Sequence, residues 1–186
     1  MNLKLNLGSG QKPVSGYINV DQHGAPDVTW DLESFPWPWP DGSVSEVLLH
    51  HVLEHLGATP DMFVRIMQEL YRVCAHAARI HIVVPHPRHD FFIGDPTHLR
   101  PITPDMLPLF SKSSNRLFQK RDAANTPLAI YHGVDFNVMD TTYVLDEPYA
   151  SELRSGKLRE DEVGTLIRKF NNVAVEIRIE LEAVKN

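Results

Sequence analysis

Two periods alternate along the chain. Near its end Val173, Val175, Ile177, Ile179 and Leu181 alternate with Ala174, Glu176, Arg178, Glu180 and Glu182. A period of two belongs to a strand whose successive side chains point to opposite faces, so this segment predicts a strand with one wet face. Phe63, Ile66, Met67, Leu70 and Cys74 instead recur at helical spacing. Thr59 ahead of them is a good N-cap, with Pro60 at the first helical position and Asp61 in the first turn. A helix is therefore expected from Pro60 to about Cys74.

The remaining segments continue the alternation. Short strands are expected at Leu3–Leu7, Tyr17–Val20, Val28–Trp30 and Val44–Leu49. The apolar run Arg79–Val84, stopped by Pro85, reads as a buried strand. Thr103-Pro104-Asp105 starts another short helix by the same capping logic. Phe136–Leu145 looks like a strand, and Val163, Leu166, Ile167 and Phe170 mark a helix of about three turns. Between the third and fourth strands, Phe35-Pro36-Trp37-Pro38-Trp39-Pro40-Asp41-Gly42 carries three prolines and reads as a stiff loop. Its tryptophans either anchor the loop to the core or form an aromatic lid. Residues 149–162 carry no readable motif. Strand–helix alternation argues for a single α/β domain, residues 1–186, with a mostly parallel sheet. Ligands of such sheets bind outside the carboxyl ends of the strands.

Composition narrows the partners. The 186 residues are 42% hydrophobic, enough for a sizeable core, with a formal net charge of -6. An acidic chain is a poor match for a phosphate backbone, so no nucleic-acid partner is expected. A lone cysteine, Cys74, excludes an intrachain disulfide and suits a reducing compartment. The apolar stretches are too short to span a bilayer, and Met1-Asn2-Leu3-Lys4-Leu5-Asn6 has no signal-peptide core. The expected location is cytoplasmic, with no membrane partner.

The chemistry should lie at the strand ends. Leu5-Asn6-Leu7-Gly8-Ser9-Gly10 is a strand running into Gly-x-Gly, which lets bare backbone approach a ligand. Alone it is equally a tight turn. Asp21 closes the second strand, where a carboxylate can accept from adjacent ribose hydroxyls. Asp31-Leu32 closes the third, where an acid could accept from an adenine amino group. Each carboxylate alone could simply cap a strand end.

In order, these blocks resemble the class I S-adenosylmethionine-dependent methyltransferases, especially the small bacterial predicted methyltransferases of that class. The resemblance continues through Gly16-Tyr17-Ile18-Asn19-Val20-Asp21, Phe35-Pro36-Trp37-Pro38, Asp41-Gly42-Ser43-Val44 and His51-Val52-Leu53-Glu54-His55-Leu56, covering about residues 3–110. It implies a Rossmann-like methyltransferase fold with an antiparallel C-terminal strand and S-adenosylmethionine as cofactor. The implied cofactor-binding residues are Asn6, Leu7, Gly8, Ser9, Gly10, Asp21, Asp31, Leu32 and His50. Within that set the glycine turn lies against the methionine part, Asp21 holds the ribose, and Asp31 and Leu32 flank the adenine. His50 and His51 lie near the transferable methyl. The block Asp95-Pro96-Thr97-His98, with Arg100 and Thr103-Pro104, lines the acceptor side. His51 and His98 are the candidate catalytic residues, each equally able to orient substrate, and the acceptor is expected to be a small or sugar-like molecule.

Two departures from the family stand out. Only ten residues separate Gly10 from Asp21, interrupted by Pro13 and Gly16, so the usual helix after the glycine turn does not fit. Cys74-Ala75-His76-Ala77-Ala78 stands where relatives have a proline-glycine-glycine turn. The missing helix and the polar face of residues 173–182 together suggest a sheet face that is either wet or covered by a second subunit, a possible homodimer. A fold that has lost catalysis and serves as a partner subunit is the main alternative.

Ten histidines raise a metal-dependent hydrolase as a further alternative. His86, His89, Asp90, Asp95 and His98 form a dense run of ligand types. His51-Val52-Leu53-Glu54-His55 has the H-x-x-E-H order of some inverted zinc peptidases. The methyltransferase blocks already account for these letters, and no metal is assigned. A nicotinamide dehydrogenase is disfavoured, because the third glycine is absent and Asp21 comes too early.

Overall fold

The computed structural model describes residues 2–185. Seven strands form one sheet in the order β3-β2-β1-β4-β5-β7-β6. β1 (Leu3–Leu7), β2 (Ile18–Asp21), β3 (Val28–Thr29), β4 (Val44–His50) and β5 (Cys74–Pro85) run parallel. β7 (Ala174–Ala183) pairs antiparallel with β5 and with β6 (Phe136–Leu145). The helices are α1 (Pro60–Val73), α2 (Asp90–Ile93), α3 (Lys112–Lys120), α4 (Leu128–His132), α5 (Tyr149–Arg154) and α6 (Glu160–Lys169). The expected α/β fold, mostly parallel with an antiparallel end, is the one observed.

The sheet has one sealed face. Leu5, Leu7, Val47, Leu49, Ile80 and Ile82 are all buried there, as the alternation of each strand requires. α1 starts where expected, with the Thr59 hydroxyl accepting from the Met62 N–H at 3.2 Å. It brings Phe63, Ile66, Met67 and Leu70 into the same core. Phe110 meets Phe63 edge to face, with ring centroids 6.1 Å apart. The proline-rich loop completes the cover. Trp37 and Trp39 are buried, so they anchor the loop and form no lid. Arg72 of α1 holds the loop by donating to the carbonyls of Trp37 (3.0 Å) and Trp39 (2.9 Å).

The other face carries ion pairs, with Leu48 and Val83 among them. In register across β1, β4 and β5, Lys4 faces Glu46 and Glu46 faces Arg79. Arg79 is next to Glu182 of β7, and His81 is next to Glu180. Lys4–Glu46 and Arg79–Glu180 ion pairs both close at 2.7 Å. An open trough of about 1110 Å3 runs over this face. The polar side expected of the last strand lies on this same open face.

No helix lies between β1 and β2, as the short spacing requires. Two buried asparagines tie down the loop that replaces it. Asn6 donates to Asn19 Oδ1 (2.9 Å) and to the Lys12 carbonyl (3.2 Å). Asn19 Oδ1 also accepts from the Val14 N–H at 2.7 Å, and Asn19 donates to Asp27 (2.8 Å).

Some local expectations are corrected. The helix expected at Thr103-Pro104-Asp105 is a turn followed by a 3-10 helix, Leu107–Phe110. Thr103 does accept from the Met106 N–H at 3.3 Å, but Pro108 has no N–H to carry an α ladder onward. β5 begins earlier than expected, with Cys74 pairing to Val44 across a register shift. There Ala77 takes φ 60°, the left-handed conformation that a glycine supplies in a conventional turn.

Candidate cofactor site

The strand order reverses between β1 and β4, so the switch point lies at their carboxyl ends. The turn after β1 sits there. Gly8 has φ 66°, and a Cβ on it would stand 2.5 Å from a methyl of Val52. Both facts demand glycine, and they seat the turn directly against the segment that follows β4.

Beside this turn is a hollow of about 160 Å3, walled by Gly8, Asp21, Trp30, Leu32, Val52 and Leu56. The larger trough also reaches Gly8, Ser9, Gly10, His50 and His51. Asp21 Oδ2 accepts from the Gly10 N–H (2.8 Å) and Oδ1 from the His23 N–H (2.9 Å). Each oxygen keeps a lone pair for a further donor. The buried Leu32 is held by its carbonyl, which accepts from the indole N–H of Trp37 at 3.0 Å.

Other residues singled out in the sequence have different local roles. Asn6 is spent on the loop, as described. Leu7 is a core residue of β1. Asp31 closes a turn, accepting from Glu33 N–H (2.8 Å), Gln22 (3.0 Å) and the Ser34 hydroxyl (3.2 Å). Trp30, Val52 and Leu56, which wall the hollow, lie in the resembling stretch but carry no expected role there. An apolar residue just past a strand end carries no signature of its own.

His50 and His51 diverge. His50 projects on the open face, and burial together with the neighbouring His51 lowers its pKa. His51 takes φ 58°. Its Nε2 lies 3.2 Å from Glu176 Oε1 and its Nδ1 3.5 Å from Glu54 Oε1. The Glu54 carboxylate raises the His51 pKa against the opposing effect of burial.

Glu54 belongs to a 3-10 helix, Leu53–His55, and is fully buried. Its backbone carbonyl accepts from the Leu99 N–H at 2.7 Å, which docks the segment after α2 onto this turn. His98 and His55 thereby come together, with ring centroids 4.6 Å apart. Phe92 stacks on His98 at 5.1 Å. Asp95 accepts from the Thr97 hydroxyl (2.6 Å) and N–H (2.8 Å), and these bonds lower its pKa. The dense run of ligand types in the sequence does not gather. His86 and His89 cap local turns, and His89 Nε2 turns to Asp146 at 3.1 Å.

No protein-family model and no curated protein sequence matches the chain. Solved structures do. A SAM dependent methyltransferase from Archaeoglobus fulgidus superposes with a TM-score of 0.60 at 17% identity, over 97% of this chain and 86% of that one. The 1,6-didemethyltoxoflavin-N1-methyltransferase of Burkholderia thailandensis, solved with bound 1,6-didemethyltoxoflavin and S-adenosylhomocysteine, gives 0.54 at 12% identity, over 98% and 71%. The geometry and these likenesses agree on the fold, which is the Rossmann-like α/β fold of the class I S-adenosylmethionine-dependent methyltransferases.

Proposed function

We propose that the chain is a methyltransferase that binds S-adenosylmethionine at this switch point and methylates a small-molecule or sugar-like acceptor. The observation that carries the reading is the hollow in which Gly8, Asp21, Trp30 and Leu32 converge. Apolar walls suit a flat base, and a carboxylate with free lone pairs suits two neighbouring ribose hydroxyls. A sheet-end hollow of this kind is where nucleotide-like ligands of α/β folds bind. One structural neighbour was solved with S-adenosylhomocysteine and 1,6-didemethyltoxoflavin.

On this reading Asp21 holds the ribose, Leu32 and Trp30 flank the adenine, and Gly8–Gly10 lie along the methionine part. His50 borders the sulfonium end, and His51 and His98 stand on the acceptor side. The bound cofactor would supply an electrophilic methyl group. The chain's contribution is to hold the acceptor close and in line. The net charge of -6 and the carboxylates of the open face speak against a nucleic-acid acceptor. Among the described residues no helix is long and apolar enough to cross a membrane. Burial pushes the Cys74 thiol up to about 12, and its being the lone cysteine suits a cytoplasmic protein.

The asparagine-pinned loop favours a second reading. A protein that has replaced its cofactor-facing helix by a loop can keep the fold as a partner or regulatory subunit without catalysis. Thermal unfolding with S-adenosylhomocysteine separates the two. A methyltransferase gains several degrees, and Asp21→Ala removes the gain. A subunit that has lost the cofactor gains nothing in either form.

A further inference from the structure

The buried carboxylate of Glu54 presents a physical problem. Neither of its oxygens has a hydrogen-bond partner among the described residues. A fully buried, unsatisfied carboxylate is among the costliest groups a fold can hold. His51 Nδ1 stands 3.5 Å from Glu54 Oε1, near enough for charge attraction, but it meets only that one oxygen and shares its ring with Glu176 through Nε2.

The surroundings supply what a cation would need. Glu54, His55 and His98 each offer one donor atom, and the three atoms lie within 4.8 Å of one another. Both rings are set up by outer partners. His98 Nδ1 lies 2.8 Å from the Phe92 carbonyl, a contact that requires the proton on Nδ1. The Thr97 hydroxyl gives its proton to Asp95 at 2.6 Å, so it accepts from His55 Nδ1 at 3.0 Å. The Thr97 carbonyl stands 3.3 Å from the same nitrogen. With Nδ1 of each ring engaged by these partners, Nε2 is the nitrogen left to face a ligand. Imidazoles fixed by carbonyls and hydroxyls through one nitrogen, leaving the other free, are the usual outer arrangement of metal-ligating histidines.

We propose that Glu54, His55 and His98 form a site for one divalent transition-metal cation of the zinc, manganese, iron or cobalt kind. Two imidazoles and one carboxylate favour these ions over calcium and magnesium, which want oxygen ligands throughout. The cation neutralises the buried carboxylate and fixes the segment of residues 95–100 on the 3-10 helix. His98 is then a ligand and moves no proton. The site adjoins the candidate cofactor hollow, because Val52 and Leu56 flank its 3-10 helix and wall that hollow. Three protein ligands leave open positions. On the methyltransferase reading, on which this last step alone rests, those positions take an oxygen of the acceptor.

The test is titration of the chelator-stripped full chain with Co2+, followed by calorimetry and by visible absorption. About one cation per chain is expected, with ligand-field bands of nitrogen–oxygen coordination. His98→Ala and His55→Ala, shown folded by circular dichroism, should each abolish stoichiometric binding. Thr97→Val, which keeps all three ligands, should weaken it by roughly tenfold. Absence of binding at millimolar Co2+, or binding that survives both histidine changes, overturns the site. The wild-type spectrum needs no variant and stands even if one fails to fold. S-adenosylhomocysteine binding, measured on the stripped chain, reports separately on the methyltransferase reading.

Discussion

On one side of the sheet Leu5, Leu49, Ile80 and Ile82 lie under α1 and the tryptophan loop, cut off from water. On the other, Lys4 pairs with Glu46 and Arg79 with Glu180 across neighbouring strands, and the two carboxylates line an open trough. The same strands make both faces, with Leu5, Val47 and Ile80 turned to one and Lys4, Glu46 and Arg79 to the other. In this chain the second face carries charges that cross-strand register pairs with one another. Only where a loop crosses the open face, near Asn6 and Asn19, does the cover become specific, and there buried amides replace apolar packing.

This contrast can be broken from the sealed side first. Ile80→Ala should cost roughly 2–5 kcal/mol in denaturant unfolding, the usual range for emptying a filled core position. A loss below 1 kcal/mol would mean that the core collapses freely around the cavity.

A smaller effect is expected at the edge of that cover. The Glu69 carboxylate takes the Arg72 guanidinium at 2.8 Å and the Trp37 N–H at 2.7 Å. Chiefly through Arg72, its pKa falls below the ordinary carboxylate value. A carboxyl with a lowered folded pKa stabilises the fold above its unfolded pKa and loses that contribution as pH falls through the folded one. Glu69→Gln should therefore cost roughly 1–3 kcal/mol at neutral pH. The gap to wild type should close under acid, in unfolding curves followed from pH 7 to pH 3. A gap independent of pH would contradict the ion-pair account.

The smallest effect belongs to the open face. Arg79→Ala removes pairs to Glu180 and Glu182, yet this side chain is 41% exposed. Water and salt screen such pairs, so the expected loss is about 0–1 kcal/mol and should shrink further in molar salt. A loss comparable to that of Ile80→Ala would mean the face is covered in solution, as a second subunit would cover it.

What the sequence made legible follows the same division. α1, β6 and β7 fall within about a residue or two of their expected bounds, because long apolar periods and a capped start leave little choice. The missing helix was legible too, from spacing and Pro13. α3 was not. Its buried anchor is Asn115, which donates to the Leu109 carbonyl at 2.9 Å and accepts from the Ala129 N–H at 3.0 Å. A helix seated by a polar side chain leaves no hydrophobic period to read. In the candidate site, Gly8, Asp21 and Leu32 were visible as strand-end residues, and the structure brings all three to one hollow. Glu54 was visible only as a letter between histidines. Residues 99 and 100 fold back onto its backbone carbonyl, a long-range contact that no local pattern encodes.

The central claim is that the switch-point hollow holds S-adenosylmethionine although the helix after the glycine turn is absent. Isothermal calorimetry of the purified chain with S-adenosylmethionine and S-adenosylhomocysteine tests it most directly. The account predicts one site per chain with micromolar affinity for both ligands, lost in Asp21→Ala. No heat of binding at millimolar ligand, from a chain shown to be folded, would contradict it and leave the fold as that of a non-catalytic subunit.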